Sequence, residues 1–229
     1  MDPAAPRPAI AFFDLDRTLL RRSSTLALAP AFRRYGVITR AQMGKAAFWQ
    51  LLFVARGTSK ERVRAASEEG LMLLRGFTPR QMRELVADAL EPVLRPLVYD
   101  EPLRLVERHR ERGEPSYIVS AALQEVVDAM AEDLGFDGAL GTVCEVEDGV
   151  YTGRGVRSLH GEHKAAAVRE LALEQGYDLT ESTAYSDSHT DLPFLEAVGK
   201  PVAVNPDRAL RRVAADRGWP VLRFGARAA

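Results

Sequence analysis

The run Ala11-Phe12-Phe13-Asp14-Leu15-Asp16-Arg17-Thr18-Leu19-Leu20 sets two carboxylates one residue apart at the end of an apolar strand. Ionised oxygens that close repel each other, and burial beside a core raises the cost further. Such a pair calls for a cation or a chemical task. The apolarity before it is continuous rather than alternating, which predicts a strand covered on both faces, as in a parallel sheet. Four later runs have the same character: Tyr117 to Val119, Thr183 to Tyr185, Pro201 to Val204 and Val221 to Phe224. Helical spacing separates them, over Leu103 to Arg112, Leu123 to Leu134, Lys164 to Gln175, Leu192 to Val198 and Arg208 to Arg217. This alternation predicts a doubly wound α/β core.

Between Leu20 and about Pro96 the alternation stops. Leu26 to Tyr35, Ala41 to Arg56, Lys60 to Arg75 and Pro79 to Leu94 all carry helical spacing, with Thr39, Thr58 and Thr78 as N-caps and Gly36, Gly57 and Gly76 as stops. An α-helical insert after the first strand lies above the carboxyl edge of the sheet, where ligands bind in such folds. The expected division is therefore a core of residues 1–19 and 97–229 with a helical cap of residues 20–96. From Leu140 to Gly155, Glu147-Asp148-Gly149 joins two strand-like runs and predicts a β-hairpin.

The 229 residues include 31 Lys plus Arg against 32 Asp plus Glu, a net charge of -1. That balance argues against nucleic-acid or anionic-membrane partners. Cys144 is the single cysteine, so neither an internal disulfide nor a thiolate zinc cluster is expected. Met1 to Pro8 lacks a secretory apolar core, and the longest apolar stretch, Ala46 to Ala55, is too short to span a bilayer. A cytoplasmic enzyme, monomeric or homodimeric, is the expectation.

Downstream of Asp14 and Asp16 the chain supplies a hydroxyl at Ser120, an ammonium at Lys164 and carboxylates at Asp187 and Asp191. Each stands near the end of an expected strand or the start of a helix. Asp14 suits the role of nucleophile, forming an acyl phosphate that divides one hard hydrolysis into two easier steps. Asp16 suits an acid that protonates the leaving alcohol and a base that then activates water. Phosphoryl transfer needs its charge neutralised, which a divalent cation such as Mg2+, Lys164, the Ser120 hydroxyl and the amide of Ala121 can supply. Asp187 and Asp191 offer hard oxygen ligands to that ion. Taken singly the residues have blander readings: Ser120 and Asp191 as helix caps, Lys164 as a solvated helix residue. His160 and His163 make a weak metal pair, and Phe48, Trp49 and Phe53 suit the core of the cap.

In order and context these residues resemble the haloacid dehalogenase superfamily of phosphohydrolases, which share a Rossmann-like core. Asp14 to Leu19 is similar to its first motif, Ser120 to the second, Lys164 to the third and Asp187-Ser188-His189-Thr190-Asp191 to the fourth. The helical insert is similar to that of the phosphoserine phosphatase branch. The resemblance implies a magnesium ion held by Asp14, the Asp16 carbonyl and Asp187, with Asp191 helping directly or through water. It implies a phosphomonoesterase acting on a small-molecule phosphate ester. Ser23 stands where that branch carries a Glu for the substrate amine, and Ser120-Ala121-Ala122 replaces Ser-Gly-Gly, so a leaving group other than serine is expected. Arg17, Ser23, Trp49, Phe53, Arg56 and His189 are the candidates for touching it. A phosphotransferase of the same mechanism, a glycosyltransferase using Asp-x-Asp for a sugar nucleotide, and a non-catalytic phospho-acceptor are the competing readings.

Overall fold

The computed structural model describes residues 7–39 and 69–225. A seven-stranded sheet forms its centre: β1 (Ala11–Phe13), β2 (Ser116–Leu123), β3 (Gly138–Glu147), β4 (Val150–Arg157), β5 (Thr183–Ser186), β6 (Lys200–Val204) and β7 (Val221–Leu222). The spatial order is β4-β3-β2-β1-β5-β6-β7, and only the β3–β4 hairpin is antiparallel. Strand β1 lies between β2 and β5, where successive crossovers turn in opposite directions. Ligands bind outside the strand carboxyl ends at such a point.

Both faces of β1 are covered, which accounts for its unbroken apolar sequence. Phe12 packs with Val119, Ala184, Val168 and Phe194 on one side. Phe13 packs with Ile118, Tyr185, Val127 and Met130 on the other. The Phe13 and Tyr185 rings stack with centroids 4.4 Å apart, joining β1 to β5 just before each strand delivers its carboxylate. In the hairpin, Asp148 and Gly149 both take left-handed backbone, φ 50° and 78°, as a two-residue turn between twisted strands requires. Tyr151 Oη donates to Glu125 at 2.5 Å and ties the hairpin to helix α4.

The helices bounded within the described residues are α1 (Ser24–Arg34), α2 (Pro79–Ala89), α3 (Asp100–Glu111), α4 (Gln124–Leu134), α5 (Glu162–Gln175), α6 (Leu192–Leu195) and α7 (Arg208–Arg217). Helix α2 begins with a capping box in which Thr78 and Gln81 each bind the other's backbone amide. The spacing expected α2 to run to Leu94. It instead widens into a π turn over Leu90–Leu94 and tightens into a 3-10 turn over Arg95–Leu97. Pro92 has no N–H to donate, so the regular ladder cannot continue through it. Helix α6 is also shorter than expected, four residues following the 3-10 turn His189–Asp191. The expected helix over Ala41 to Arg56 and most of that over Lys60 to Arg75 lie outside the described residues. Among the described residues no helix is long and apolar enough to cross a membrane.

Candidate active site

Asp14 follows β1 directly, and its amide donates to the Tyr185 carbonyl at 3.0 Å. The register aligns Phe13 with Ile118 on one side and with Tyr185 on the other. Asp14 therefore stands level with Val119 and Ser186, one residue short of Ser120 and Asp187. Three strands bring these side chains together at one edge of the sheet.

Lys164, on the first turn of α5, reaches across this edge although only 1% of it is exposed. Its Nζ donates to Asp14 Oδ1 at 2.6 Å and to Asp191 Oδ2 at 2.7 Å. The ring of Phe194 lies 4.6 Å from the ammonium. Burial alone would drive the ammonium toward neutrality, but Asp14 and Asp191 outweigh it and hold Lys164 up at about 12. It is a permanent cation. Asp191 is thus no simple helix cap. Its side chain makes no capping bond to α6, and Oδ2 also accepts the Ser186 hydroxyl at 2.8 Å.

Asp187 is held by its backbone, its carbonyl accepting the Asp207 amide at 2.9 Å. Asp207 in turn accepts the amides of His189 at 2.9 Å and Leu210 at 2.8 Å. Burial pushes the Asp187 carboxyl above the usual carboxylate range, and the charges of Asp14 and Asp191 push it further. Burial raises Asp14 too, against the pull of Lys164. Asp16 accepts the Ser24 amide at 2.8 Å, which anchors it to the start of α1. Burial still raises its pKa, so a proton is retained more readily than on an exposed aspartate.

Arg17 is exposed and takes left-handed backbone at φ 63°, an uncommon conformation for a side chain of this size. Its charge reaches both Asp16 and Asp187. Ser120 is buried, and its hydroxyl accepts the Ala122 amide at 3.2 Å, leaving its proton free to donate. It does not cap the following helix: β2 runs on through Ala121 to Leu123, and α4 starts at Gln124. The Ala121 carbonyl is engaged by the Thr142 hydroxyl at 2.9 Å. Ser23 precedes α1 without a capping bond from its side chain, and His189 is exposed on the 3-10 turn. Trp49, Phe53 and Arg56 lie outside the described residues.

Sequence reasoning missed Ser186, Asp207 and Phe194. Ser186 and Phe194 make side-chain contacts that only the fold reveals. Asp207 did leave a trace, because Asn205-Pro206-Asp207 before a helical run is an N-cap pattern.

Three buried carboxylates, Asp14, Asp187 and Asp191, face a single buried ammonium. Burial first, and then the mutual repulsion of these carboxylates, raises the pKa values of Asp14 and Asp187, and a divalent cation would offset both. Among the described residues no group of three His, Cys, Asp or Glu side chains forms a ready-made cage. The set expected from the sequence, the Asp14 and Asp187 carboxylates with the Asp16 carbonyl, is all oxygen, a donor chemistry that would suit Mg2+, which keeps much of its own water.

The sequence profile described as haloacid dehalogenase-like hydrolase matches residues 11–196. The chain is 44% identical over 220 residues to the inhibition of morphological differentiation protein of Streptomyces azureus, covering 96% of this chain and 79% of the relative. It is 42% identical over 221 residues to a probable phosphatase of Mycobacterium tuberculosis, covering 96% and 77% respectively. A crystal structure of a Bordetella pertussis protein of unknown function superposes with a TM-score of 0.82 at 30% identity, covering 95% of this chain and 99% of that one.

Proposed function

The chain belongs to the haloacid dehalogenase-like hydrolase family, and from that premise we propose that it is a phosphatase hydrolysing small-molecule phosphomonoesters through an aspartyl phosphate. Asp14 attacks phosphorus through the oxygen not pinned by Lys164. Lys164 orients that carboxylate and offsets the negative charge that accumulates on the transferring group. Asp16, disposed by burial to hold a proton, gives it to the leaving oxygen, then takes one from the water that cleaves the acyl phosphate. The Ser120 hydroxyl and the Ala121 amide bind phosphate oxygens. Asp191, tied to Lys164 and Ser186, fixes the ammonium in position.

Asp14, the Asp16 carbonyl and Asp187 would hold Mg2+, with Asp191 close by, and the bound ion would supply charge neutralisation and orientation of the phosphoryl oxygens. The cap expected over residues 20–96, of which residues 20–39 and 69–96 are described, would enclose the leaving group. Arg17, held in left-handed backbone beside Asp16 and Asp187, faces it from the core side. The resemblance to a probable phosphatase supports this reading. No finding supports a glycosyltransferase, which would leave the buried Asp14–Lys164–Asp191 chain without a task.

The observation that carries the proposal is Lys164 bridging Asp14 and Asp191 at 2.6 and 2.7 Å. The test is phosphate release from p-nitrophenyl phosphate with Mg2+ present. Asp14→Asn is expected to lower the rate by at least about a thousandfold with an unchanged circular-dichroism spectrum. Substantial residual turnover would remove Asp14 as nucleophile.

A further inference from the structure

The turn after β6 and the chain leaving β7 enclose a cavity of about 300 Å3, lined by Asn205, Pro206, Arg211, Arg223, Phe224 and Gly225. Its walls are fixed from several directions. Asn205 takes left-handed backbone at φ 43°, unusual outside glycine. Its carboxamide closes on Phe224 both ways, accepting the amide at 3.0 Å and donating to the carbonyl at 3.4 Å. Phe224 meets the Tyr99 ring edge-on at 5.9 Å. A Cβ placed on Gly225 would stand 2.7 Å from that ring and 3.1 Å from Arg21 Nη1. Arg21, lying over Tyr99 at 4.6 Å, therefore reaches the rim of the same cavity.

Two arginines, Arg211 and Arg223, line the cavity, and Arg21 stands at its rim, where its charge also acts on Glu101. Arg34, Arg95, Arg110, Arg154 and Arg217 all sit in ion pairs. Arg21, Arg211 and Arg223 have none among the described residues. Among the described residues Arg211 is steadied by donating Nη2 to the Pro206 carbonyl at 3.3 Å. The nearby Glu101 directs one oxygen to the Gly225 amide at 2.8 Å, and its single charge leaves the cleft with an excess of positive charge. Planar guanidinium forks are suited to oxyanions, which they bind in pairs of parallel hydrogen bonds. The cleft also adjoins the candidate active site, because Asp207, next to the lining residue Pro206, binds the backbone of both Asp187 and His189.

We propose that this cleft is a second oxyanion site, in which Arg211 and Arg223 grip a phosphate-class dianion and Arg21 closes the rim. The dianion is either the far phosphate of a doubly phosphorylated substrate or a separate phosphate that acts as an effector. Direct binding separates the site from any assumption about catalysis. Calorimetric titration with inorganic phosphate is made on protein dialysed free of divalent ions, with Asp14→Asn/Lys164→Met as the background in which only the arginine cleft is left to bind it. One binding event is expected, weakening as salt is raised. It should weaken at least about tenfold in Arg223→Ala and disappear in the double variant Arg211→Ala/Arg223→Ala. Arg223→Lys, which keeps the charge and loses the fork, should fall between the unaltered cleft and Arg223→Ala. No binding to the unaltered cleft, or equal binding with Arg211→Ala/Arg223→Ala, would overturn the site.

The source of the dianion is read kinetically with Mg2+ present, an arm that rests on the phosphatase reading while the titration does not. If it is the far end of substrate, Arg223→Ala raises KM for a diol bisphosphate at least about tenfold and leaves p-nitrophenyl phosphate unaffected. If it is an effector, KM is unchanged for both, and a noncompetitive response of the wild type to inorganic phosphate is lost in the variant.

Discussion

Replacing Lys164 by Met removes the cation that binds both Asp14 and Asp191 while roughly keeping the side-chain volume against Phe194. Breaking a buried ion pair from one side costs about 3–5 kcal/mol, because the remaining charge stays buried without a partner. That cost depends on pH, and its sign follows from the carboxylates. Burial already lifts Asp14 above its unfolded value of 3.8 against the pull of Lys164, so deleting Lys164 lifts it further. A group raised in the folded state contributes stability at low pH and loses it as pH rises through the folded value. Lys164 itself titrates near 12 and stays charged across the working range. The difference between wild type and Lys164→Met should therefore widen with pH. Wild-type Asp14 already keeps its proton below about 7, so the extra proton on the folded variant appears only above that point, where the slope is about 1.4 kcal/mol per pH unit. The difference should be nearly flat from pH 5.5 to pH 7 and grow by about 1.4 kcal/mol from pH 7 to pH 8. Urea denaturation of both proteins at these pH values, free of divalent ions, measures it. Mg2+ at a hundredfold excess over its dissociation constant should return up to about 2.7 kcal/mol to the variant at pH 8. A difference that stays flat from pH 7 to pH 8 would refute the claim that Lys164 offsets buried negative charge.

Other consequences are simpler to measure. Mg2+ affinity by calorimetry should fall as pH drops from 8 toward 6, with protons released on binding, because Asp14 and Asp187 must both be ionised to act as ligands. Gly199→Ala should destabilise by about 1–3 kcal/mol, since the new Cβ would stand 1.8 Å from the Thr180 carbonyl oxygen; thermal melting reads the loss. Thr78→Ala removes the capping box of α2 and should cost about 1 kcal/mol in chemical denaturation. His109→Phe deletes the buried link from Tyr185 Oη at 2.8 Å to Glu114 at 2.5 Å, with an expected loss of about 1–3 kcal/mol by the same measure.

The parts of the structure governed by local pattern were legible in the sequence. Ala11 to Phe13 is apolar on both faces because Phe12 and Phe13 enter separate halves of the core. Thr78, Gly36 and Gly149 carry their turn and cap chemistry in their own side chains or in its absence. Asp14, Asp16, Lys164, Asp187 and Asp191 were legible as a set because buried ionisable groups at strand ends are rarely idle. What escaped depends on contacts between distant segments. Nothing local to Ser120 says that β2 continues three residues past it, since that follows from pairing between Leu123 and Thr142. Nothing local to Ser186 or Phe194 reveals that one grips Asp191 and the other lies against Lys164. The arginine cleft joins residue 21 to residues 211 and 223, a grouping visible only after β6 and β7 pair.

The most direct test of the central claim is acid quenching during turnover of a phosphate ester labelled on phosphorus, followed by borohydride reduction and peptide mapping. The account predicts a labile acyl phosphate on Asp14, recovered after reduction as homoserine at that position and absent from Asp14→Asn. Homoserine at position 16, 187 or 191, or turnover with no phosphoenzyme and no loss in Asp14→Asn, would contradict it.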